Sequence, residues 1–471
     1  MAEAAAAFYT VETAVEGAAV GAVAVAKSTV PVVVRFNKIK SPSQALGRSS
    51  HSLNYHRGRA YIFGGDTENG SADNAMHILT LPSDLELSDT DYQLVDAAPA
   101  PERPLAPYKD NTSATSAGSS SSNLVPVARA AHASTTIDSN IFIFGGRSAK
   151  SPGDNGQTSL IDEQGTVHVY STVDNKWITL IPQLSMCTSG VPEPRTYASM
   201  TSSPHPRPEG NIATTSEAYG TLFLHGGYNN AGTLLRDTWA FDVTSRAWSK
   251  WPTLPEPGIE DVAGDGRIYC TESRLWRVGD GFGKMSYLEV SRDIANDASG
   301  KSEIGVTPKT GHWTTLSFGS TAEAREHEKS PSSKGPTTRA DDLPIPRKGA
   351  GFLPVTTGAG REFMLYFMGA DAPGSTVPDI WTFQIASDKG SAAGLKDRIR
   401  TAFGSATGEH RWARCDVVQA SKSEGDLERP EGLGDFAADA WADFGGGAAV
   451  IWGGKSANGE TKNEGWVLTV D

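Results

Sequence analysis

The feature that most constrains this chain is a short apolar run that ends in two small residues and recurs along the sequence. The five copies end at Gly64-Gly65, Gly145-Gly146, Gly226-Gly227, Gly369-Ala370 and Gly453-Gly454. The interval from Gly65 to Gly146 is 81 residues, and the interval from Gly146 to Gly227 is the same. Because self-similarity at a fixed interval marks a repeated structural unit, one unit predicts the architecture of the whole chain.

The copy at 222–252 reads LFLHGGYNNAGTLLRDTWAFDVTSRAWSKWP and shows what one unit contains. Its opening Leu-Phe-Leu suits a buried strand, and the glycines after it leave room for a neighbouring backbone or ring. Trp239-Ala-Phe241 alternates with the period of a second strand, and Trp248 to Trp251 form a third after a polar turn. Each unit is therefore predicted to be an antiparallel meander.

Most copies are preceded by a segment that starts with arginine, which we call the Arg motif. The Arg motifs are Arg48-Ser-Ser-His51, Arg129-Ala-Ala-His132, Arg195-Thr-Tyr197 and Arg347-Lys-Gly-Ala350. Aromatic strands follow, as at 167–177 and 379–412. One copy is degenerate: Arg267-Ile-Tyr-Cys270 lacks its glycines, although 273–278 and 311–316 continue the meander.

These residues together resemble the kelch repeat of the kelch and galactose oxidase-type propeller superfamily. The resemblance is carried by the apolar run with Gly-Gly, by Asp237-Thr-Trp239-Ala-Phe241-Asp242 and by the later Trp248. It implies that each unit is one four-stranded blade and that the blades stack around an axis. Five clear copies and one degenerate copy predict an all-β fold, a six-bladed kelch-type β-propeller.

The predicted domains are a helical extension at 1–30 and the propeller at 31–471. The blades are expected at 41–108, 124–183, 190–256, 257–319, 343–419 and 430–471, with 31–40 added to the last. The final copy has a third strand at 464–471 but no fourth, and 32–39 has the character of an outer strand. The N-terminal strand is therefore expected to close the ring and remove its open edge.

The alanine-rich stretch at 3–26 predicts a short amphipathic helix. Glu3, Glu12 and Glu16 interrupt its apolar character, which argues against a secretory signal. The formal charge of −13 argues against binding to nucleic acid or to an anionic membrane. Three scattered cysteines favour a reducing compartment, so a cytoplasmic location is predicted. The oligomeric state is not predicted.

The charged and imidazole side chains of the Arg motifs are the candidate binding residues. They are Arg48, His51, Arg129, His132, Arg195 and Arg347. The kelch resemblance implies that the strand after each motif runs beside the central axis, so a ring of guanidinium groups would bind a carboxylate at one channel mouth. In the alternative, each arginine pairs with acceptors of its own or the next blade. The alternative is favoured because the arginines recur with the repeat.

Two enzymatic families share this kind of scaffold. Copper radical oxidases similar to galactose oxidase need a cysteine joined to a tyrosine, but Tyr269 and Cys270 are neighbours in one strand and face opposite sides. Plant nitrile-specifier proteins are kelch propellers associated with ferrous iron through Glu-x3-Asp-x3-His, a ligand set that suits this metal. The stretch Asp73-Asn-Ala-Met-His77 resembles the second half of that pattern, whereas Asn69 stands at the glutamate position.

A structural interpretation of Asp73 and His77 competes with the metal site. Asn74 to Ile78 aligns with Asp237 to Phe241 as the ordinary third element of a blade, which places His77 at a packing interface. No metal and no other cofactor is therefore predicted, and these two residues are kept only as metal candidates.

Polar insertions between the blades are the predicted contact regions for a partner protein. They include 111–122, 202–216, 321–342 and 421–431, and Leu395, Ile399 and Phe403 predict a short surface helix at four-residue steps. Long loops on a rigid scaffold commonly carry binding. The predicted function is a protein-binding or scaffolding module acting through propeller-face loops. The alternative is an enzyme, iron-dependent or not, that acts on a small molecule at the channel mouth.

Overall fold

A computed structural model describes part of the chain in detail. The described residues are 32–68, 70, 73–82, 91–99, 124–148, 158–208, 218–256, 263–296, 302–318, 343–357, 360–386, 392–402, 407–418, 429–441 and 447–470. They form six small sheets arranged as a six-bladed β-propeller, which confirms the predicted fold class. The helix predicted at 3–26 and most of the polar insertions lie outside the described residues.

The chain begins with β1 (Val33–Lys40), which belongs to the last blade, and a single 3-10 turn (Gln44–Leu46) leads into blade 1. Blade 1 contains β2 (Ser52–His56), β3 (Arg59–Phe63), β4 (Met76–Thr80) and β5 (Tyr92–Val95). Between the blades, β6 (Arg129–Ala130) pairs with β9 (Arg147–Ser148). Blade 2 contains β7 (Ala133–Ile137), β8 (Asn140–Phe144), β10 (Val167–Ser171) and β11 (Lys176–Leu180). Blade 3 contains β12 (Ser199–Ser203), β13 (Thr221–His225), β14 (Thr238–Asp242) and β15 (Ala247–Trp251).

The second half of the ring carries the irregular blades. Blade 4 contains β16 (Ala263–Cys270), β17 (Arg274–Asp280) and β18 (Met285–Asn296), and β18 pairs with both β19 (Ser302–Pro308) and β20 (Thr314–Leu316). Blade 5 contains β21 (Gly351–Thr356), β22 (Glu362–Phe367), β23 (Ile380–Gln384) and β24 (Trp412–Arg414), with α1 (Ala392–Ala402) before β24. Blade 6 contains β25 (Asp416–Val418), β26 (Ala437–Ala440), β27 (Ala448–Trp452) and β28 (Glu464–Val470).

The ring closes in blade 6, where the two ends of the propeller share one sheet. β1 pairs antiparallel with β28, from Val34 opposite Val470 to Lys40 opposite Glu464. The other edge of β1 pairs in parallel with β25, which arrives from the end of blade 5. The predicted closure by the N-terminal strand is confirmed, and β25 additionally covers the edge that β1 would otherwise expose.

Tryptophan side chains fill the spaces between blades. Trp177, Trp239, Trp248 and Trp412 are less than a tenth exposed. The indole N–H of Trp248 donates to the carbonyl of Gly165 in blade 2, at 2.7 Å, and that of Trp412 donates to Gly283 in blade 4, at 2.6 Å. Each ring therefore buries apolar area and also satisfies a backbone carbonyl of the preceding blade.

The paired glycines are the points where neighbouring backbones approach most closely. The N–H of Gly65 donates to the carbonyl of Arg129 in the next blade, at 2.9 Å. A Cβ on Gly64 would lie 2.3 Å from that same oxygen, and one on Gly65 would lie 2.7 Å from Ser49 O. The predicted close approach is confirmed, and its partner is backbone of the Arg motifs in both blades.

The degenerate blade 4 is organised differently from the prediction. Arg267 to Cys270, interpreted as the strand that should end in glycines, lie instead in β16, the innermost strand. The place of the glycine-ended strand is taken by β17, which closes with Gly279 at φ 132°. The prediction was wrong because Arg267 to Cys270 resemble the apolar run of the other copies. The glycine that corresponds to the pair, Gly279, lies one strand later, in β17.

One smaller prediction is corrected and another is confirmed. His77 occupies the position of Trp239 in its blade, since it lies opposite Ile62 as Trp239 lies opposite Leu224, so the alignment was one residue out of register. The predicted helix exists as α1, but Leu395 is exposed on it. The buried face of α1 instead carries Asp397, whose carboxylate pairs with Arg361 at 2.6 Å.

Gly369 and Gly374 allow the close approach to be tested, because their φ angles are 92° and 94°. A Cβ on Gly369 would lie 2.6 Å from Lys348 O, whereas one on Gly374 would meet nothing within 4 Å. Both alanine variants carry the same backbone strain, so Gly369→Ala should lose about 1–3 kcal/mol more unfolding free energy than Gly374→Ala in urea denaturation. Equal losses would contradict the proposed role of the contact.

Candidate functional site

The four arginines of the Arg motifs are buried inside their blades. Arg48, Arg129, Arg195 and Arg347 are each at most 1% exposed. The pattern of bonds repeats: in Arg129, Nε donates to the carbonyl of Val127 and Nη1 donates to that of Gly145, at 3.1 and 3.0 Å. The first residue of the glycine pair, or Met368 in blade 5, supplies the equivalent carbonyl in the other blades. These arginines therefore fasten the Arg motif to the glycine-ended strand.

A carboxylate completes each arginine site. Blade 3 pairs Arg195 with Asp237 through two bonds of 2.7 and 2.9 Å, and the indole N–H of Trp239 donates to the same carboxylate. Blade 5 repeats this arrangement with Asp379 and Trp381. Since the charged groups are paired within the blade, this geometry matches the structural interpretation of the arginines. Ligand capture by their guanidinium groups stays a prediction.

In blades 1 and 2 a histidine replaces the tryptophan. His168 Nε2 lies 2.9 Å from Glu163, which also accepts two hydrogen bonds from Arg129. Burial alone would raise the pKa of Glu163, but the hydrogen bonds from His168 and Arg129 outweigh it and lower the pKa to about 2. The carboxylate is consequently ionised throughout the physiological range.

The metal candidates Asp73 and His77 form the same kind of network in blade 1. His77 Nε2 lies 3.0 Å from Asp73 and 2.9 Å from Arg48 Nη2, while its Nδ1 lies 2.9 Å from the hydroxyl of Tyr92. Both ring nitrogens thus have protein partners. Within the described ranges, no group of three or more His, Cys, Asp or Glu residues is placed to hold a metal ion.

The central channel is the candidate functional site. Its volume is about 260 Å³, and it is lined by the innermost strands of all six blades. Of the six predicted binding residues, His51 and His132 line this channel, and the four arginines do not. The remaining wall includes Asn54, Arg267, Tyr269 and Asp439, none of which was predicted as a binding residue.

Side-chain oxygens of one blade satisfy the backbone edge of the next around the channel. Ile268 N–H donates to Ser199 Oγ and Cys270 N–H donates to Thr201 Oγ1, at 3.0 and 3.1 Å. On the other side of blade 3, Ser202 Oγ donates to the carbonyl of Thr136. Because the innermost strand is a sheet edge, these bonds occupy groups that would otherwise lack partners in the sheet.

The two channel histidines differ in their partners. His132 Nε2 lies 2.9 Å from Ser52 Oγ of the preceding blade. His51 holds the equivalent place against Gly453, but Ala437 stands where a serine would be needed. Within the part of the chain that the structure describes, both nitrogens of His51 are without a hydrogen-bond partner. Burial, with the nearby positive charge of Arg129, lowers the pKa of His132 to about 3. Burial and Arg48 likewise lower the pKa of His51, so both imidazoles are neutral.

Comparison with known proteins identifies the repeat. The sequence model of the KLHDC2/KLHL20/DRC7 Kelch-repeats domain matches residues 35–258, which span blades 1 to 3. Residues 35–258 thus match a kelch-repeat domain, and the described residues as a whole fold as a six-bladed β-propeller. A solved structure described as "Structure of YjhT" is similar at 14% sequence identity and a TM-score of 0.47, covering 92% of this chain and 99% of that one. A search of curated proteins finds no match.

Asp439 is the channel residue of this kelch propeller that the repeat pattern least reveals. Its carboxylate accepts hydrogen bonds from the backbone N–H groups of Tyr55 and Ala440, both at 2.8 Å. Burial raises the pKa of Asp439 to about 6, against the lowering effect of those two bonds. The only sequence signal for the channel wall was the Ser/Thr content of the strands that follow the Arg motifs, as in Ala133–Ile137 and Ser199–Ser203.

Glu163→Gln tests the arginine–carboxylate network of the kelch blade. At pH 7 the variant should lose about 3–5 kcal/mol of unfolding free energy, because Arg129 is left buried beside a neutral partner. The folded-state pKa of Glu163 lies below its ordinary value of 4.5. The stability it contributes is therefore present above that value and is lost as the pH falls toward 2.

Urea denaturation of both proteins between pH 7 and pH 2.5 measures this difference, with the exposed Glu193→Gln as the control. A gap between wild type and Glu163→Gln that stays constant with pH, or a control that loses as much, would refute the network.

Proposed function

We propose that this kelch propeller is a protein-binding module that acts through loops on its surface, and that the loop at 181–190 carries part of the contact. The kelch-repeat fold supports a role in protein interaction in general. We assign the binding more specifically to the loop at 181–190. The single observation that carries it is the distribution of exposed apolar side chains.

Exposed large apolar residues concentrate around blade 2. Nine such side chains occur among the described residues, and six of them lie between residues 124 and 186. The six are Leu124, Val127, Val173, Ile181, Leu184 and Met186. Scattered apolar side chains are ordinary on a protein surface, whereas a concentration of them is characteristic of interaction sites.

The loop at 181–190 is held rigidly while it presents these side chains. Gln183 N–H donates to the carbonyl of Arg246 in blade 3, and the buried Cys187 accepts a hydrogen bond from Trp248 N–H through its sulfur. Leu184 and Met186 lie between these two anchoring residues, and their side chains are 67% and 52% exposed. A preorganised apolar loop loses little conformational entropy on binding, which favours affinity for a partner protein.

We further propose a cytoplasmic location. All three cysteines, Cys187, Cys270 and Cys415, lie within the described residues and are free thiols, and burial raises the pKa of Cys270 and Cys415 to about 12. Free cysteines are typical of reducing compartments. No helix in the described part of the chain has the length and apolar character needed to cross a bilayer.

The double variant Leu184→Ser, Met186→Ser tests the assignment of the loop. Affinity capture from native extract should retain at least about tenfold less of the specific partners, because central apolar residues dominate binding energy. The matched control is Phe282→Ser in blade 4, a side chain 52% exposed. If both variants capture every partner as well as the wild type does, the loop is not the binding surface.

A further inference from the structure

The central channel contains a half-buried carboxylate that has no cationic partner among the described residues. The side chain of Asp439 lines the channel, and its recorded partners are two backbone N–H groups. Among the described residues, no lysine, arginine or histidine lies within ion-pair distance of it, in contrast to Asp265, Asp280 and Asp397. A carboxylate has about four acceptor positions, so two remain for a ligand.

A second unpartnered acceptor lies at the same depth of the channel on the adjacent blade. Ser50 N–H donates to the carbonyl of Asp435, which sets the two inner strands in register. Asn54 and Asp439 each follow four residues later, so the strand rise places them at the same level. Asn54 is 4% exposed and lines the channel, and its Oδ1 has no hydrogen-bond partner among the described residues.

The positive group of the channel wall is distant from this level. Arg267 lies three residues before Cys270, whose N–H bonds to Thr201 at the depth of Asn54. Three residues of strand separate the levels by about 10 Å. The guanidinium group of Arg267 also pairs with Asp265, at 3.1 Å. The level of Asp439 is therefore negative at neutral pH, and the site favours a cation.

The other residues of the channel wall favour an organic cation over a metal ion. Phe352 and Leu353 line the channel beside the level of Asp439 and are apolar. A metal ion with oxygen ligands requires six or more of them, or at least four in a tetrahedral site. One carboxylate, one amide oxygen and an aromatic ring instead suit an ammonium group attached to a short carbon chain.

We propose that the channel binds a small primary ammonium compound, whose ammonium group pairs with the Asp439 carboxylate and whose carbon chain lies against the apolar wall. The three N–H groups of the ammonium match Asp439, Asn54 Oδ1 and the remaining oxygens of the channel wall. The volume of about 260 Å³ holds a molecule of a few carbon atoms together with several waters.

Binding should depend on the protonation of Asp439. The titratable groups around the site are His51 just before β2, Arg267 and Tyr269 on β16, Glu362 on β22 and Asp435 just before β26. The pKa of His51 is lowered well below 6.5 and that of Tyr269 is raised, by burial in both cases, so neither changes charge between pH 5 and pH 7. Asp435 lies about four residues further along the channel.

The experiment is calorimetric titration of the full chain with n-butylammonium chloride, and with n-butanol and sodium butyrate as the neutral and anionic counterparts. Saturable binding is expected for the ammonium compound alone. With the pKa of Asp439 at about 6, the affinity should rise about tenfold from pH 5 to pH 7. Asp439→Asn should weaken binding at pH 7 at least about tenfold, and the exposed Asp416→Asn, with the same change in net charge, should leave it unchanged.

Asn54→Ala provides a second variant if Asp439→Asn does not fold, and several-fold weaker binding is expected from it because one acceptor is removed. Thermal unfolding of each variant verifies the fold before titration. Equal binding of butylammonium and butanol, no binding of either, or binding of Ca²⁺ or Zn²⁺ in place of the amine would overturn the proposal. An affinity unaffected by both Asp439→Asn and Asn54→Ala would do the same.

Discussion

Neighbouring blades are joined where the backbone of an Arg motif packs against the paired glycines of the preceding blade. A carbonyl oxygen of the Arg motif occupies the space that a side chain at the glycine position would need. Gly146 N–H donates to Arg195 O at 2.9 Å, and a Cβ on Gly145 would lie 2.8 Å from that oxygen. The buried arginine then fixes the Arg motif to its own blade through the carbonyl of the glycine pair and a carboxylate. At the junctions of blades 1 and 2, 2 and 3, and 6 and 1, one short motif thus joins a blade internally and to its neighbour, which explains why arginine and glycine recur together.

The channel lies where the innermost strands of the joined blades meet around the axis. Each innermost strand presents a sheet edge to the axis, and hydroxyl groups such as those of Ser199 and Thr201 satisfy the edge of the next blade. At the junction of blades 6 and 1 this task falls to Asp439, which brings a charge into the channel. A carboxylate whose pKa is raised by burial lowers the stability of the fold at neutral pH, so its presence there indicates a role beyond capping a strand.

The repeated parts of the fold could be predicted from the sequence, as could the closure by β1, whereas several features that occur once could not. Paired glycines and tryptophans identify blades in the sequence because they have the same structural role in the copies that carry them. Blade 4 was wrongly predicted because Gly279 stands where two glycines were expected. The helix α1 was predicted, but the pairing of its Asp397 with Arg361, a partner 36 residues away, is not revealed by helical periodicity. Asp439 lies in the strand Ala437–Ala440, whose small side chains carry no pattern, and only the closed ring places it in the channel.

The central claim is that six blades form one closed ring in which β1 (Val33–Lys40) is an integral strand of the last blade. Native-state hydrogen exchange of the backbone amides tests it most directly, by comparing β1 with β27 (Ala448–Trp452), another interior strand of the same sheet. Because β1 lies between β28 and β25, the account predicts that its amides exchange as slowly as those of β27, through global unfolding. Exchange of β1 much faster than that of β27 would show that this strand opens separately, and would contradict the account.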